Sequence, residues 1–379
     1  MSKKIAILTL PLHTNFGGNL QAFALQKILR DRGYDVETLD YRVRASSDAR
    51  KLLSQFKQKI INNRKVYHFF NHEVKAIQIN HQAFIEENIK RSKVLTTVEE
   101  LRKYINERGF NYIIVGSDQV WRLPYSQRVY SYFLDFIDSE KITKISYAAS
   151  FGVDYWEFNK VQTAYIANNL SKFDAISVRE SSGVSLCQKY LSLTVEETLD
   201  PTLLLEVKDY LALCKHEKSF TKGKILSYIL DNDGSKKLLE QDIAKQLNKE
   251  VVYIQPINSQ KDRLIIKDID TYIYPKVETW LKGFMEADYV ITDSFHGTVF
   301  SIIFNKPFIT VINKERGSAR FYSLLKKFDL ENRLVQPDEK VNLILFEKID
   351  YQKVNEILSL YKEKSNDFLI ESLTQENLN

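Results

Sequence analysis

The sequence predicts an α/β protein of two domains, each built on a parallel sheet. Three observations carry this prediction. The chain has 379 residues, more than a single hydrophobic core usually holds. It opens with an apolar strand (Ile5 to Leu10), an amphipathic helix (Leu20 to Arg32) and a second strand (Asp35 to Asp40), and such a unit implies parallel pairing. Polar or charged residues then recur directly after apolar strands, where open α/β sheets bind their ligands.

The elements follow in order. Leu20, Phe23, Ala24, Ile28 and Leu29 recur at helical spacing, and Gly33 ends that helix as a C-cap. Before it, Asn15-Phe16-Gly17-Gly18-Asn19 reads as a glycine turn between strand and helix. Strands are expected at Tyr112 to Val115, Ile142 to Ala148 and Ala175 to Val178, with a short one near Val195 and a helix from Gly183 to Tyr190. The first domain therefore spans 1–205. A charged stretch at 206–223 reads as a linker with some helix. The second domain, 224–345, begins with the strand Ile225 to Leu230. It continues with helix Ser235 to Leu247, strand Val251 to Gln255, helix Val277 to Ala287, a strand from Tyr289, helix Gly297 to Phe304 and strand Pro307 to Val311. A tail, 346–379, carries one or two helices between Tyr351 and Leu373.

Composition narrows the function. A net charge of +5 is small for this length, so it fits an anionic ligand without calling for nucleic acid, and no nucleic-acid recognition motif is present. The first apolar run ends at Leu12 and reads as a core strand rather than a signal peptide, and no run is long enough to cross a bilayer. Cys187 and Cys214 lie far apart and read as reduced thiols of a cytoplasmic protein. The stretch 49–72 has no acidic residue, carries Arg50, Lys51, Lys57, Lys59, Arg64 and Lys65, and shows Leu52, Leu53, Phe56, Ile60 and Ile61 at helical spacing. Such a helix either packs on its own domain with a solvated basic face or lies on an anionic membrane surface. There is no P-loop, no His-Glu-x-x-His, no Gly-x-Ser-x-Gly and no paired Cys-x-x-Cys, which argues against a P-loop ATPase, a zincin, a classical hydrolase and a zinc module.

The most informative segment is Tyr289-Val290-Ile291-Thr292-Asp293-Ser294-Phe295-His296-Gly297-Thr298. It reads as a buried strand, a polar turn and a helix. Ser294, Gly297 and Thr298 fall where the N–H groups of a new helix lack partners, which suits an anion. His296 can give or take a proton near neutrality, or it can hold the turn by a backbone hydrogen bond. Arg179 directly follows a strand and can clamp a carboxylate or phosphate, or pair with Glu180. Asp118, after Gly116 and Ser117, can orient a hydroxyl, act as a base or cap a helix. Gly17 and Gly18 allow either a close ligand approach or a tight turn, and Asp200-Pro201-Thr202 can be a plain interdomain turn. Tyr125, Tyr147, Phe151, Tyr155 and Trp156 can stack on sugars, although core positions suit most of them better.

Six segments in order resemble the polysaccharide pyruvyl transferase family: Asn15 to Ala22, Gly116 to Trp121, Ser146 to Gly152, Ser177 to Glu180, Leu199 to Thr202 and Ala287 to Gly297. The resemblance implies two Rossmann-like domains facing a cleft, as in GT-B glycosyltransferases, with the acceptor on the N-terminal side and the donor on the C-terminal side. It implies transfer of pyruvate from phosphoenolpyruvate to a sugar diol as a cyclic ketal, with no metal or other cofactor. The acceptor would be a bacterial-type surface polysaccharide or its precursor, and a lipid-linked one would give the basic stretch a peripheral membrane role. By the same resemblance Asp118, Arg179 and His296 match family positions near the donor; His296 and Asp118 are expected to be catalytic, and Arg179, with Ser294, Gly297, Thr298, Asn15, Gly17, Gly18 and Ser117 from the strand ends and turns, to bind substrate. The turn departs from one family pattern. Many members have an arginine two residues before the histidine, whereas this turn reads Ser294-Phe295-His296-Gly297. Lys306, Lys314, Arg316 or Arg320 is then expected to supply the missing cation. The alternative is a GT-B-like glycosyltransferase using a nucleotide-activated sugar in the same cleft, and a non-catalytic sugar-binding protein is a third reading.

Overall fold

Short runs of apolar and β-branched residues form the strands, and five of the eleven among the described residues are buried along their whole length, as parallel sheets covered on both faces require. The computed structural model describes residues 3–54, 68–231, 233–258, 268–313, 317–339 and 342–374. The first sheet contains β1 (Lys4–Leu8), β2 (Asp35–Thr38), β3 (Tyr112–Val115), β4 (Thr143–Ala149), β5 (Ala175–Val178) and β6 (Glu196–Glu197). Its order is β2-β1-β3-β4-β5-β6, with every pairing parallel. The second sheet contains β7 (Ile225–Tyr228), β8 (Val251–Tyr253), β9 (Tyr289–Thr292), β10 (Phe308–Val311) and β11 (Leu334–Val335). Its order is β11-β10-β9-β7-β8, again all parallel.

Helices cover these sheets. Those needed below are α1 (Phe16–Asp31), α2 (Asn71–Asn88), α3 (Val98–Arg108), α4 (Lys160–Leu170), α5 (Ser181–Leu186), α6 (Val207–Cys214), α7 (Gly234–Leu247), α8 (Val277–Glu286), α9 (Phe295–Ile303), α10 (Ala319–Lys327) and α11 (Tyr351–Thr374). Two of them start earlier than the apolar periodicity suggested. Asn15 caps α1, its side chain accepting from Gly18 N at 3.0 Å, so Gly17 and Gly18 belong to the first helical turn instead of a preceding glycine turn. Ser294 caps α9 in the same way, which makes Phe295 and His296 helical. The tail is a single helix, α11.

The two sheets share one continuous hydrophobic core. Phe16 of α1 stacks on Trp280 of α8 with ring centroids 5.4 Å apart and planes 14° apart. Cutting such a ring back to alanine costs about 3–5 kcal/mol, so this contact also ties the domains together. Tyr274 N donates to Ile77 O of α2 at 3.2 Å, adding a second tie. Helix α11 begins beneath the second sheet, where the Tyr351 hydroxyl donates to Lys306 O. It then returns to the first sheet, where Leu199 N donates to Ser365 Oγ at 3.0 Å and Tyr112 donates to Leu373 O at 2.7 Å. Both cysteines are buried free thiols. Among the described residues no helix is long and apolar enough to cross a membrane. Residues 55–67 of the basic stretch, and Lys314 and Arg316, lie outside the described residues.

Candidate active site

The C-terminal ends of the central strands of both sheets point at one cluster of buried charge. Asp200 lies at its centre and is 1% exposed. Its Oδ1 accepts from Thr202 N at 3.1 Å and from the Thr202 hydroxyl at 2.7 Å, a local turn that explains the Asp-Pro-Thr sequence. Its Oδ2 accepts from Arg179 Nη1 at 2.9 Å and from the Ser117 hydroxyl at 3.1 Å. His296 Nε2, carried by the other domain, lies 3.5 Å from the same Oδ2. Burial alone would raise the pKa of Asp200, but His296 and then Arg179 overrule it and hold the carboxyl well below its usual range.

Arg179 directly follows β5 and its side chain is 1% exposed. Beyond Asp200 it faces Asp118 at 3.7 Å and Glu180 at 3.9 Å. Nε and Nη2 are buried and make no hydrogen bond. Burial opposes its charge, but Asp200, Asp118 and Glu180 together raise its pKa. Glu180 fixes the loop after β4, its Oε1 accepting from the Ser150 hydroxyl, Phe151 N and Gly152 N. Its burial pushes its pKa up. Asp118 has a left-handed backbone, φ 73°, and its Oδ1 accepts from Gln119 N at 2.9 Å.

Glycines 17 and 297 act here through close approach. A Cβ on Gly17 would lie 2.0 Å from His296 Nδ1, so the bare helix start of α1 is what makes room for the imidazole. A Cβ on Gly297 would lie 2.2 Å from the Thr292 hydroxyl, so Gly297 lets α9 sit tightly on the end of β9.

At the start of α9, two of the expected anion-binding N–H groups are used within the cap itself. Gly297 N donates to Ser294 Oγ at 3.4 Å, and Thr298 N donates to Ser294 O at 3.0 Å. The Thr298 hydroxyl donates to the same carbonyl at 3.1 Å. Ser294, Gly297 and Thr298 thus hold the turn that carries His296. Asn15 and Gly18 serve the cap of α1 in the same sense. Ser117 contributes its hydroxyl to Asp200, and its N–H is held by Gln21 Oε1 at 3.1 Å.

The cluster thus gathers Arg179, Asp118, Ser117, His296 and Gly17 from distant segments, and adds two residues that had no assigned chemistry. Asp200 was legible only as a strand-end turn. His13 follows β1 and is exposed, yet surrounding protein lowers its pKa, with Asp118 acting the other way. The position two residues before His296 is Ser294, so the helix cap occupies it. A second guanidinium is nevertheless present: Arg320, at the start of α10, lies with Cζ 5.5 Å from the centre of the Phe295 ring, while Arg179 Cζ is 4.3 Å from that ring. Of the aromatic candidates, Tyr147 and Phe151 are core, whereas Tyr125 and Tyr155 are exposed at 40% and 58%. Among the described residues no group of three or more His, Cys, Asp or Glu is gathered as a metal site requires.

Two parallel-sheet Rossmann-like domains meeting at a buried polar cluster define a GT-B-like α/β protein. Full-length matches among solved structures agree on this fold. UDP-GlcNAc 2-epimerase from Neisseria meningitidis bound to UDP-GlcNAc superposes with a TM-score of 0.56 at 10% identity, over 99% of this chain and 100% of that one. UDP-GlcNAc 2-epimerase from Methanocaldococcus jannaschii gives 0.53 at 12% identity, over 99% and 100%. Arabidopsis thaliana UGT89C1 complexed with UDP-L-rhamnose gives 0.53 at 8%, over 98% and 99%. Identities this low establish the fold alone. No curated protein matches the chain in sequence. The family model "Polysaccharide pyruvyl transferase" matches residues 15–315, and the chain belongs to that family.

Proposed function

We propose that the protein transfers the pyruvyl group of phosphoenolpyruvate to two hydroxyls of a sugar in a surface polysaccharide or its precursor, closing a cyclic ketal. The observation that carries this reading is the meeting of Arg179 and His296 on one buried carboxylate, Asp200, in a chain of this family. Asp200 faces the His296 imidazole and holds Arg179 at the strand end, where Arg179 Nε and Nη2 make no hydrogen bond and can turn to an anionic donor.

In this reading His296 delivers its proton to the methylene carbon of phosphoenolpyruvate, which becomes a methyl group, and the adjacent carbon becomes oxocarbenium-like. One sugar hydroxyl bonds to that carbon and its proton passes to Asp118. The bond from the same carbon to the phosphate oxygen then breaks, and phosphate leaves with the electron pair. The second hydroxyl closes the ring and its proton leaves with phosphate, while the proton on Asp118 returns to His296 through solvent. The scheme calls on no metal ion and no redox group. The donor lies on the C-terminal side of the cleft against His296, and the acceptor on the N-terminal side by Asp118.

Thermal unfolding in the presence of phosphoenolpyruvate, and separately of UDP and UDP-sugars, tests the donor. Phosphoenolpyruvate is expected to raise the midpoint, and phosphate release is expected only when a saccharide acceptor is added. Stabilisation by a nucleotide sugar and none by phosphoenolpyruvate would overturn the reading in favour of glycosyl transfer.

A further inference from the structure

Arg179 and Arg320 are both buried, at 5% and 6% exposure, and share the Phe295 ring. Two guanidiniums this close repel one another. Burial first, and Arg179 next, lower the pKa of Arg320 to about 10. The two are not compensated alike. Arg179 has Asp200, Asp118 and Glu180 around it. Arg320 forms no ion pair among the described residues, and its Nε donates a long bond of 3.4 Å to Gly317 O. Asp118 and Glu180 act on Arg320 without an ion pair to either, and a buried cation with no carboxylate in contact is costly unless a ligand provides one.

Arg320 is also held firmly in place. Gly317 has φ +87°, and a Cβ there would lie 1.9 Å from Gly152 O, so the segment leading into α10 rests directly on the loop after β4. Ser323 of α10 accepts from Ser181 N at 3.0 Å and donates to Glu197 at 2.9 Å, fastening this helix of the second domain to the first beside Arg179. The aromatic ring of Phe295 gives both guanidiniums an apolar face to lie against, which offsets part of their mutual repulsion.

We propose that Arg320 is the phosphate-binding cation of the donor site, paired with Arg179, which takes the carboxylate. The assignment rests on the phosphoenolpyruvate reading above. It follows from charge: the group with the larger negative charge goes to the guanidinium that has no carboxylate in ion-pair contact among the described residues, and the carboxylate goes to the one already paired with Asp200. Phe295, in a turn without an arginine of its own, serves as the seat that brings Arg320 into the cleft from another helix.

Isothermal titration of the full chain with phosphoenolpyruvate, inorganic phosphate and pyruvate tests this, using Arg320→Met and Arg320→Lys, with thermal unfolding as the check on folding. In Arg320→Met the affinities for phosphoenolpyruvate and for inorganic phosphate are expected to fall by about 10- to 150-fold, the loss of a hydrogen bond to a charged group, while pyruvate binding is kept. Arg320→Lys is expected to recover part of the loss, since a lysine keeps the charge without the planar fork. Arg320→Met binding phosphate and phosphoenolpyruvate as the parent does would overturn the inference and leave the donor reading standing. Parent protein that binds inorganic phosphate through Arg320 but not phosphoenolpyruvate would uphold the phosphate site and overturn the donor reading.

Discussion

His296 and Asp200 meet across the boundary between the two domains, Nε2 lying 3.5 Å from Oδ2. The imidazole comes from the helix after β9 and the carboxylate from the turn after β6. Chemistry at this site therefore depends on both domains and on the surface that joins them.

His296→Ala is expected to lower pyruvyl transfer by about 10²- to 10⁴-fold, the range for removing a general acid, with a thermal midpoint close to the parent. Acceptor-dependent phosphate release measures it. A residual rate above about a tenth of the parent rate would remove His296 from the proton transfer, since general acids contribute more than that.

Asp200→Asn removes the carboxylate that pairs with Arg179 and faces His296. Breaking a buried pair on one side costs about 3–5 kcal/mol, which urea unfolding would show. The sign of the pH effect follows from the depressed pKa of Asp200. Its stabilisation is fully present above about pH 4, the unfolded value, and is lost as pH falls toward the folded one. The variant should lack this part of the acid dependence.

Gly17→Ala normally favours a helix by about 1 kcal/mol. Here the new methyl would lie 2.0 Å from His296 Nδ1, so the effect should reverse. A loss of about 1–3 kcal/mol, typical of overpacking, and a fall in kcat are expected from thermal unfolding and steady-state kinetics. A more stable and fully active variant would show that His296 can move aside.

His81 of α2 is buried against Phe16, with centroids 4.4 Å apart. Asn19 Nδ2 donates both to His13 O and to His81 Nδ1, so the ring proton is on Nε2 and the imidazole is neutral. Burial lowers its pKa from 6.5 to about 3. The unfolded chain therefore takes up a proton below pH 6.5 that the native one refuses, and stability is lost as pH falls. Between pH 6.5 and 5 this amounts to about 2 kcal/mol, at about 1.4 kcal/mol per pH unit. Urea midpoints across this range should fall in the parent and fall less in His81→Gln.

Much of the fold was legible because its signals are local. Apolar strands, a polar turn after each, and helical periodicity need only neighbouring residues, and they identified the strands β3 and β5 within their observed bounds. Helix starts were less legible. Both α1 and α9 begin at an aromatic residue just after a capping Asn or Ser, ahead of the periodic apolar face, and the caps were the better signal. Arg179, Asp118 and His296 could be singled out as strand-end residues, yet each had an ordinary structural alternative in the sequence, weaker only for His296 beside its helix start. Asp200 looked like a turn former, and it is one, but its second oxygen faces the cluster.

By itself the sequence determined the α/β class, the ordered family segments and the side-chain types available for anion binding and proton transfer. Only the tertiary structure decided which of them meet. His296, Arg179 and Ser117 converge on Asp200 from three separate crossovers, and Arg320 comes to Phe295 from a helix beyond the next strand. It also decided that the N–H groups of Gly297 and Thr298 are used within the cap. The physical reason is that capping and periodicity act over a few residues of chain. Charge compensation and steric fit act through space, and they were settled when the two sheets packed on one core.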